Sequence, residues 1–288
     1  MNLKLPLSHR DREPESGVLY LVGTPIGNLE DISIRALNIL RKVSLIACED
    51  TRQTKKILNK FSIKNELISF NKHNSSIKIP GIINFLKEGK SIGLVSDAGM
   101  PSICDPGEEL VYQSRLHRID TICIPGPCAV TTAIVSSGFP SSRFIFEGFL
   151  PKKKTDREKI IYEIGEREQT TVLFESPHRL IKLLKEFKRC IGGEREIEIS
   201  RELTKKFEEH IREDINSALD LFEGKEVVGE ITIVIKGVNK KNNSSTLDKI
   251  VLKRELNDLI NAGINLSSAS KYLAKKNNCK KSEIYNLQ

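Results

Sequence analysis

The sequence predicts an α/β protein of two domains, the first built on a mainly parallel sheet and the second on a mixed sheet, with a small helical appendage at the end. Three observations lead there. Short apolar runs recur through the first half and alternate with segments of helical periodicity, the pattern of parallel strands buried on both faces. The rhythm breaks at Phe139-Pro-Ser-Ser-Arg143 and resumes with different spacing and more alternating strands. After the polar stretch NKKNNSS at 239–245, helical patterns alone remain. A chain of 288 residues has the length for about two domains.

The elements follow in order. Residues 1–16 are polar, with Pro6 and Pro14, and are expected to form a flexible tail. The first domain, 17–139, opens with a strand at 17–22 (GVLYLV) and continues with 44–48 (SLIAC), 67–70, 91–96 (SIGLVS) and 121–124 (TICI). Between them, Ile34, Leu37, Ile39 and Leu40 fall at helical spacing after Asp31, an expected N-cap. Ile82, Ile83, Phe85 and Leu86 do the same before Gly89, and Asp105-Pro106 reads as a cap with Pro at the first helical position. The second domain, 140–238, starts with a strand at 144–150 (FIFEGFL) and a basic turn, Lys152-Lys-Lys154. A helix is expected at 155–165, a strand at 170–174, and an amphipathic helix at 177–187 opened by Ser176-Pro177. Strands at 196–200 and 230–236 (EITIVIK) close the domain. A linker at 239–246 leads to the appendage, 247–288, with helical patterns at 247–260 and 266–273.

Composition removes several function classes. No apolar run approaches the ~18 residues of a membrane span, and the first ten residues lack the apolar core of a secretory signal. Six cysteines without a CxxC pair argue against a disulfide framework and structural zinc, and five histidines form neither HxxxH nor HExxH, so no metal site is expected. A reduced, cytoplasmic protein is the simplest expectation. The net charge is +8, and from Gly237 to Gln288 ten Lys/Arg face four Asp/Glu, so six of the eight excess charges lie in the last stretch. Charge concentrated at one end points to an acidic partner, nucleic acid before membrane; the alternative is a solvated lysine-rich helical surface.

Ligands of open parallel sheets bind at the carboxyl ends of the strands. The first such loop is Gly23-Thr-Pro-Ile-Gly-Asn28, which lacks the phosphate-loop and dinucleotide signatures and loses a backbone donor at Pro25; a tight turn explains its glycines equally well. Glu49-Asp-Thr-Arg52 puts three charges at the next strand end, where Asp50 or Thr51 can also cap a helix. Asn71-Lys-His-Asn74 offers His73 as a general base or a solvated histidine. The most distinctive loop is Ser96-Asp-Ala-Gly-Met-Pro-Ser-Ile-Cys-Asp-Pro-Gly107, whose small residues let a ligand approach the backbone. Pro125-Gly-Pro-Cys-Ala129 opens a helix carrying Thr131 and Thr132.

Taken in one register, Gly23-Thr-Pro-Ile-Gly-Asn-Leu-Glu-Asp31, Glu49-Asp-Thr-Arg52, Ser96-Asp-Ala-Gly99, Pro125-Gly126, Ser137-Gly138, Phe146-Glu-Gly-Phe-Leu-Pro151, Phe174-Glu-Ser-Pro-His-Arg179 and Arg201-Glu-Leu-Thr204 give the chain a close resemblance to a known family. It resembles the bacterial 16S ribosomal RNA cytidine 2′-O-methyltransferases, within the tetrapyrrole-methylase-like superfamily of S-adenosylmethionine enzymes. The resemblance runs from about Gly17 to Gly237 and more weakly through the tail. It implies a donor cleft between two domains, a homodimer, and as substrate the 2′-hydroxyl of a cytidine in the decoding centre of 16S rRNA, within the small ribosomal subunit. Carried onto this chain, the donor contacts are Pro25, Asp97, Ala98, Gly99, Met100, Ser102, Ile103, Thr131 and Thr132, with Phe174, Glu175, Ser176, Leu203, Thr204, Glu230, Ile231 and Thr232. The chain departs from the family where Met100 replaces a usual Thr, Lys72 a common acid and Val228 a usual Lys.

Methyl transfer to a hydroxyl needs in-line alignment, which can supply ~7–11 kcal/mol, and removal of a proton, where a placed base adds ~10²–10⁴-fold. Asp50 and His73 are the expected catalytic groups, with Glu49, Glu147 and Glu175 as further carboxylates in reach of the role. Arg52, Lys72, Lys152 and the tail lysines Lys271, Lys275, Lys276, Lys280 and Lys281 are the expected RNA contacts. Two other functions compete: a small-molecule methylase acting on a tetrapyrrole-like substrate, which needs no basic tail, and a non-enzymatic RNA-binding protein, which needs no charged strand-end loops.

Overall fold

The structure, a computed structural model, describes residues 13–239, 244–277 and 279–287, with the backbone alone at 244–250. It divides into two compact units. The first runs to Thr132 and takes in Leu203–Phe207; the second holds Ala133–Glu202 and the chain from Glu208 onward.

The first unit is a parallel sheet of β1 (Leu19–Val22), β2 (Leu45–Cys48), β3 (Leu67–Ser69), β4 (Ile92–Val95) and β5 (Thr121–Ile124), in the order β3-β2-β4-β1-β5. Helices α1 (Ile34–Lys42), α2 (Thr51–Lys60), α3 (Ser75–Lys87), α4 (Glu108–Leu116) and α5 (Ala129–Ser137) connect and follow the strands. Successive strand residues point to opposite faces. Tyr20, Val22 and Ile46 join Ile39 and Leu40 of α1 in one cluster, while Leu19, Leu45 and Ala47 join Ile83 and Leu86 of α3 in another. Both faces are buried, so the strands read as continuous apolar runs.

Four sequence expectations need correction. The cap of α1 is Ser33, whose side chain accepts from Ala36 N; Asp31 ends a short 3-10 turn instead. Helix α4 begins at Glu108, after Gly107, so Asp105-Pro106 stays in the loop. The domain break expected at 139–140 falls inside α5. The helix ends at Ser137, but packing changes earlier: Ser136, on its last turn, donates to Glu198 at 2.9 Å within the second unit. Of the expected flexible tail 1–16, residues 1–12 lie outside the described residues. Three of the other four are fastened: Glu13 pairs with Arg35 (2.6 Å), Glu15 N donates to the Tyr20 hydroxyl (2.7 Å), and Ser16 Oγ donates to Gly89 O (2.6 Å).

The second unit is a mixed sheet of β6 (Phe144–Phe149), β7 (Thr170–Glu175), β8 (Glu196–Arg201), β9 (Glu209–Asp214) and β10 (Ile231–Ile235), in the order β6-β7-β10-β8-β9. Strands β6 and β7 are parallel and the other pairs antiparallel. Helices α6 (Lys154–Glu166), α7 (Pro177–Ile191) and α8 (Ile215–Phe222) pack an apolar core that includes Leu173, Leu184, Phe187, Ile199 and Ile233. Strand β9 and helix α8 were not legible. The strand, EHIRED, has one apolar residue because it lies at the sheet edge with β8 as its neighbour. Its polar side chains satisfy Glu198, which is fully buried on β8. Glu198 Oε1 accepts from Ser136 Oγ, Ser200 Oγ (2.8 Å) and His210 Nδ1 (2.9 Å), and Oε2 from Arg212 Nε (3.0 Å).

The appendage comprises α9 (Ser244–Asn261), α10 (Leu266–Lys276) and α11 (Lys281–Tyr285). It has a core of its own, Leu256, Ala269, Leu273, Ala274 and Ile284. Arg254 ties it to α6, 3.7 Å from Glu166 and 5.2 Å above the Tyr162 ring. Positions 240–243 of the expected linker and Gln288 lie outside the described residues. Among the described residues, no helix is long and apolar enough to cross a membrane.

Burial opposes protonation of His210, but its hydrogen bonds to Glu198 and Glu208 outweigh it and hold the imidazolium above its ordinary range. A raised histidine contributes stability in full below its unfolded pKa of about 6.5 and loses it as pH rises through the folded value. The stability that His210 contributes should therefore be lost as pH rises above about 6.5, and His210→Gln should be least stable relative to wild type at the acidic end. A gap independent of pH would contradict this.

Candidate active site

The loops after β1, β4 and β5 meet at the carboxyl ends of three adjacent strands. Thr24 and Gly99 exchange both main-chain hydrogen bonds, Thr24 N to Gly99 O at 2.9 Å and Gly99 N to Thr24 O at 3.1 Å. The Thr24 hydroxyl adds a bond to Ser96 O at 3.2 Å. Gly23 N donates to Ile124 O at 3.1 Å, and a Cβ on Gly23 would stand 2.7 Å from Gly126 Cα, so two backbones touch where neither tolerates a side chain. A Cβ on Gly27 would stand 2.7 Å from Thr204 Oγ1, which accepts from Asn28 N at 3.0 Å. The first glycine-rich turn is therefore a packing device: it binds the β4 loop, the β5 loop and the excursion Leu203–Phe207 together. Pro25 is buried within it.

The Ser96–Gly107 loop carries strain. Gly99 sits at φ +79°, but Ser102 (+72°) and Cys104 (+64°) also occupy the left-handed region. Such residues persist where the surroundings over-determine them, a frequent property of binding loops. Asp97, Ala98 and Ile103 are exposed, and Met100 is half-buried, its sulfur packed beside Gly23. The Ser102 hydroxyl is buried without a hydrogen-bond partner in the structure. Thr131 and Thr132 both donate to Cys128 O, at 3.0 and 2.9 Å.

Four carboxylates lie at these strand ends and divide by environment. Asp50 caps α2, accepting from Arg52 N (2.8 Å) and pairing with the Arg52 guanidinium (2.7 Å); these bonds pull it down to about 2. Its low pKa favours a role in orienting Arg52 over proton removal. Glu49, Asp97 and Asp105 shift the other way. Burial is the largest cause in each; for Glu49 the charges of Asp105 and Asp97 add to it and Lys72 opposes. Asp97 accepts from Asp50 N at 2.9 Å, and Lys72 Nζ donates to Cys104 O at 2.9 Å, spanning from the β3 end to the long loop. His73 is exposed in the turn before α3, its main chain held by the Asn71 side chain at 3.1 Å. Among the described residues, no group of His, Cys, Asp and Glu is arranged to hold a metal ion.

The second unit holds the remaining expected positions. Phe174 packs edge-on against Phe146 at 5.0 Å. Glu175 is buried, its carboxylate accepting from Ser176 N (2.7 Å) and lying 3.3 Å from Arg179. Ile231 and Thr232 are buried in β10 between β7 and β8. Glu202 N donates to Glu230 O and Glu230 N to the Glu202 carboxylate, both at 2.9 Å. Gly229, at φ +95°, leaves room for the Glu202 side chain. Lys152 is exposed, and its carbonyl accepts from buried Arg157 at 2.7 Å.

Sequence reasoning missed Gly27 and Gly126 as close-approach positions, since a glycine does not announce which backbone it meets. It weighed Glu49 below Asp50, and nothing in the residue types reveals that Arg52 folds back on Asp50.

A carboxylate held above its ordinary pKa costs stability once it ionises, so the cost grows as pH rises. Glu49→Gln should raise the melting temperature at pH 7, and the difference should close near pH 4. An equal or lower melting temperature at pH 7 would contradict the assigned environment.

Residues 18–218 match the family described as Tetrapyrrole (Corrin/Porphyrin) Methylases. A Thermotoga maritima protein named ribosomal RNA small subunit methyltransferase I is 49% identical over 77% of this chain and 99% of its own. Proteins of the same name from Synechocystis (40% identity, 94% of this chain, 97% of theirs) and Halalkalibacterium halodurans (38%, 99% of both) extend the match through the appendage. Among solved structures, a Thermus thermophilus uroporphyrin-III-C-methyltransferase aligns with TM-score 0.53 at 18% identity, over 76% of this chain and 94% of its own. The cobalt precorrin-4 methyltransferase CbiF aligns with TM-score 0.58 at 16%, over 76% and 95%. These two share the fold. The chain belongs to the tetrapyrrole methylase family and, within it, to the ribosomal RNA small subunit methyltransferase I group.

Proposed function

We propose that the protein transfers a methyl group from S-adenosylmethionine to the ribose 2′-hydroxyl of a cytidine in the decoding centre of 16S rRNA, presented in the small ribosomal subunit, and works as a cytoplasmic homodimer. The observation that carries the reading is the end-to-end match, appendage included, to a relative named for the small-subunit RNA, at 38% identity over 99% of both chains. The nucleotide and the hydroxyl follow from the family resemblance that the ordered motifs carry. The small-molecule alternative rests on fold likeness at 16–18% identity and leaves the basic appendage without a role.

The strand-end loops of the first unit suit such a donor. S-adenosylmethionine, when bound, supplies an electrophilic methyl on a sulfonium and carries no phosphate, so a phosphate cradle is not needed. Exposed Ala98 has no bulky side chain to block approach, Gly99 fixes the turn behind it through its bonds to Thr24, the unpartnered Ser102 hydroxyl supplies a polar contact, and Asp97 supplies charge. Pro25, Met100, Ile103, Thr131, Thr132, Leu203 and Thr204 are the remaining proposed contacts in that unit. In the second unit, the family resemblance assigns Phe174, Ser176 and Glu230 to the donor, with buried Glu175, Ile231 and Thr232 as support behind them.

For the acceptor, His73 receives the hydroxyl proton, with Glu49 the next candidate. Asp50 orients Arg52 toward a phosphate, with Lys72 and Lys152 as further RNA contacts. In the appendage, Lys276 pairs with Glu255 at 2.9 Å and Lys281 bonds Ser267 at 2.8 Å, while Lys271, Lys275 and Lys280 are exposed.

Incubation with 30S subunits and labelled S-adenosylmethionine, followed by nucleoside digestion, should yield 2′-O-methylcytidine. His73→Ala should slow transfer about 10²-fold or more, and Asp50→Asn less than about tenfold. Transfer to a tetrapyrrole and none to 30S subunits would refute the reading. Changing Lys271, Lys275, Lys276, Lys280 and Lys281 together to Gln should weaken subunit binding and flatten the dependence of log affinity on log salt by about 0.7–0.9 for each phosphate that is no longer neutralised. An unchanged slope would show that these lysines do not meet RNA.

A further inference from the structure

Assuming RNA is the substrate, the charge of the appendage accounts for phosphate and leaves its aromatic residues unexplained. Within 244–287 the aromatic residues are Tyr272 and Tyr285. The module core is built from aliphatic side chains, Leu256, Leu273 and Ile284 among them, and both tyrosines stand outside it, 61% and 46% exposed. A ring left this open adds little to packing.

Each tyrosine has a lysine four residues away on the same helix. Tyr272 and Lys276 share a face of α10, and Lys281 and Tyr285 share a face of α11. Lys271 and Lys275, also exposed, flank Tyr272. Lys276 is steered by Glu255 at 2.9 Å, so it stands as an anchored cation beside an open ring.

We infer that the exposed faces of α10 and α11 form a binding surface for unpaired RNA, in which Tyr272 and Tyr285 stack on bases while the neighbouring lysines hold the phosphates. An aromatic ring flanked by cations is the recurring solution for single strands, because an unpaired base offers its face. A duplex hides its base faces in the stack and offers these tyrosines nothing that the lysines do not already take. The proposal rests on the RNA reading above and adds the form of RNA recognised and the residues that recognise it.

The test uses the full chain, with fluorescence anisotropy on a labelled 12-nucleotide single strand and the same sequence as a duplex, at two salt concentrations. Wild type should bind the single strand at least about tenfold more tightly than the duplex. The double variant Tyr272→Leu/Tyr285→Leu, checked for helicity, should lose roughly 20-fold or more on the single strand with its salt slope unchanged, and the double Phe variant should stay within about twofold of wild type. Equal or tighter duplex binding, or a double Leu variant that binds like wild type, overturns the inference. If wild type binds neither RNA yet methylates 30S subunits, this inference fails and the proposed function stands. If the single-strand results appear as described while 30S subunits stay unmethylated, the stacking surface stands and the methyl-transfer reading fails.

Discussion

The candidate site depends on one close contact, where the β1 and β4 loops exchange two main-chain hydrogen bonds through Thr24 and Gly99 while Gly23 and Gly126 bring the β1 and β5 loops into backbone contact. Three loops that leave adjacent parallel strands would otherwise diverge. Held together, they fix the entry to the Ser96–Gly107 segment, and that segment can then keep Ser102 and Cys104 in the left-handed region, where non-glycine residues are uncommon. The same turn anchors Thr204 through Gly27 and Asn28, so residues that follow β8 in sequence pack with the first unit. Backbone approach at these distances requires glycine, which gives the first turn a physical reason independent of any ligand.

The electrostatics follow from that packing. Crowding Glu49, Asp97 and Asp105 against partly buried loops raises their affinity for protons, while Asp50, a few ångströms along the chain, is spent on capping α2 and pairing Arg52. Like charges held near one another cost stability, and proteins tolerate that cost at sites where function requires it. In the second unit the arrangement is reversed. Glu198 is wholly buried, but serines, a histidine and an arginine satisfy it, a structural solution for an edge strand with few apolar residues.

Much of the fold was legible because burial on both sheet faces writes itself as uninterrupted apolar runs; β5 and the starts of β6, β7 and β8 lie where periodicity puts them. Strand β9 was not, because EHIRED answers to a partner, Glu198, that no local pattern announces. Helix starts failed where loop geometry outweighed propensity: Asp105-Pro106 has the chemistry of a cap, yet Gly107 at φ +148° carries the loop on to Glu108. The order of strand-end loops singled out the segments after β1, β4 and β5, which the structure packs together. Which acid is the stronger base was hidden, since it depends on Arg52 turning onto Asp50 and on the burial of Glu49, neither of which the local sequence announces.

The claim that backbone contact at the strand ends builds the donor site is tested most directly by titration calorimetry of S-adenosylmethionine into wild type and Gly126→Ala. The added methyl would meet Gly23 at 2.8 Å and must push the two loops apart. The account predicts a folded variant with unchanged helicity and a donor affinity at least about tenfold weaker, the scale of ~1.4 kcal/mol. A folded Gly126→Ala protein that binds the donor as wild type does would contradict it.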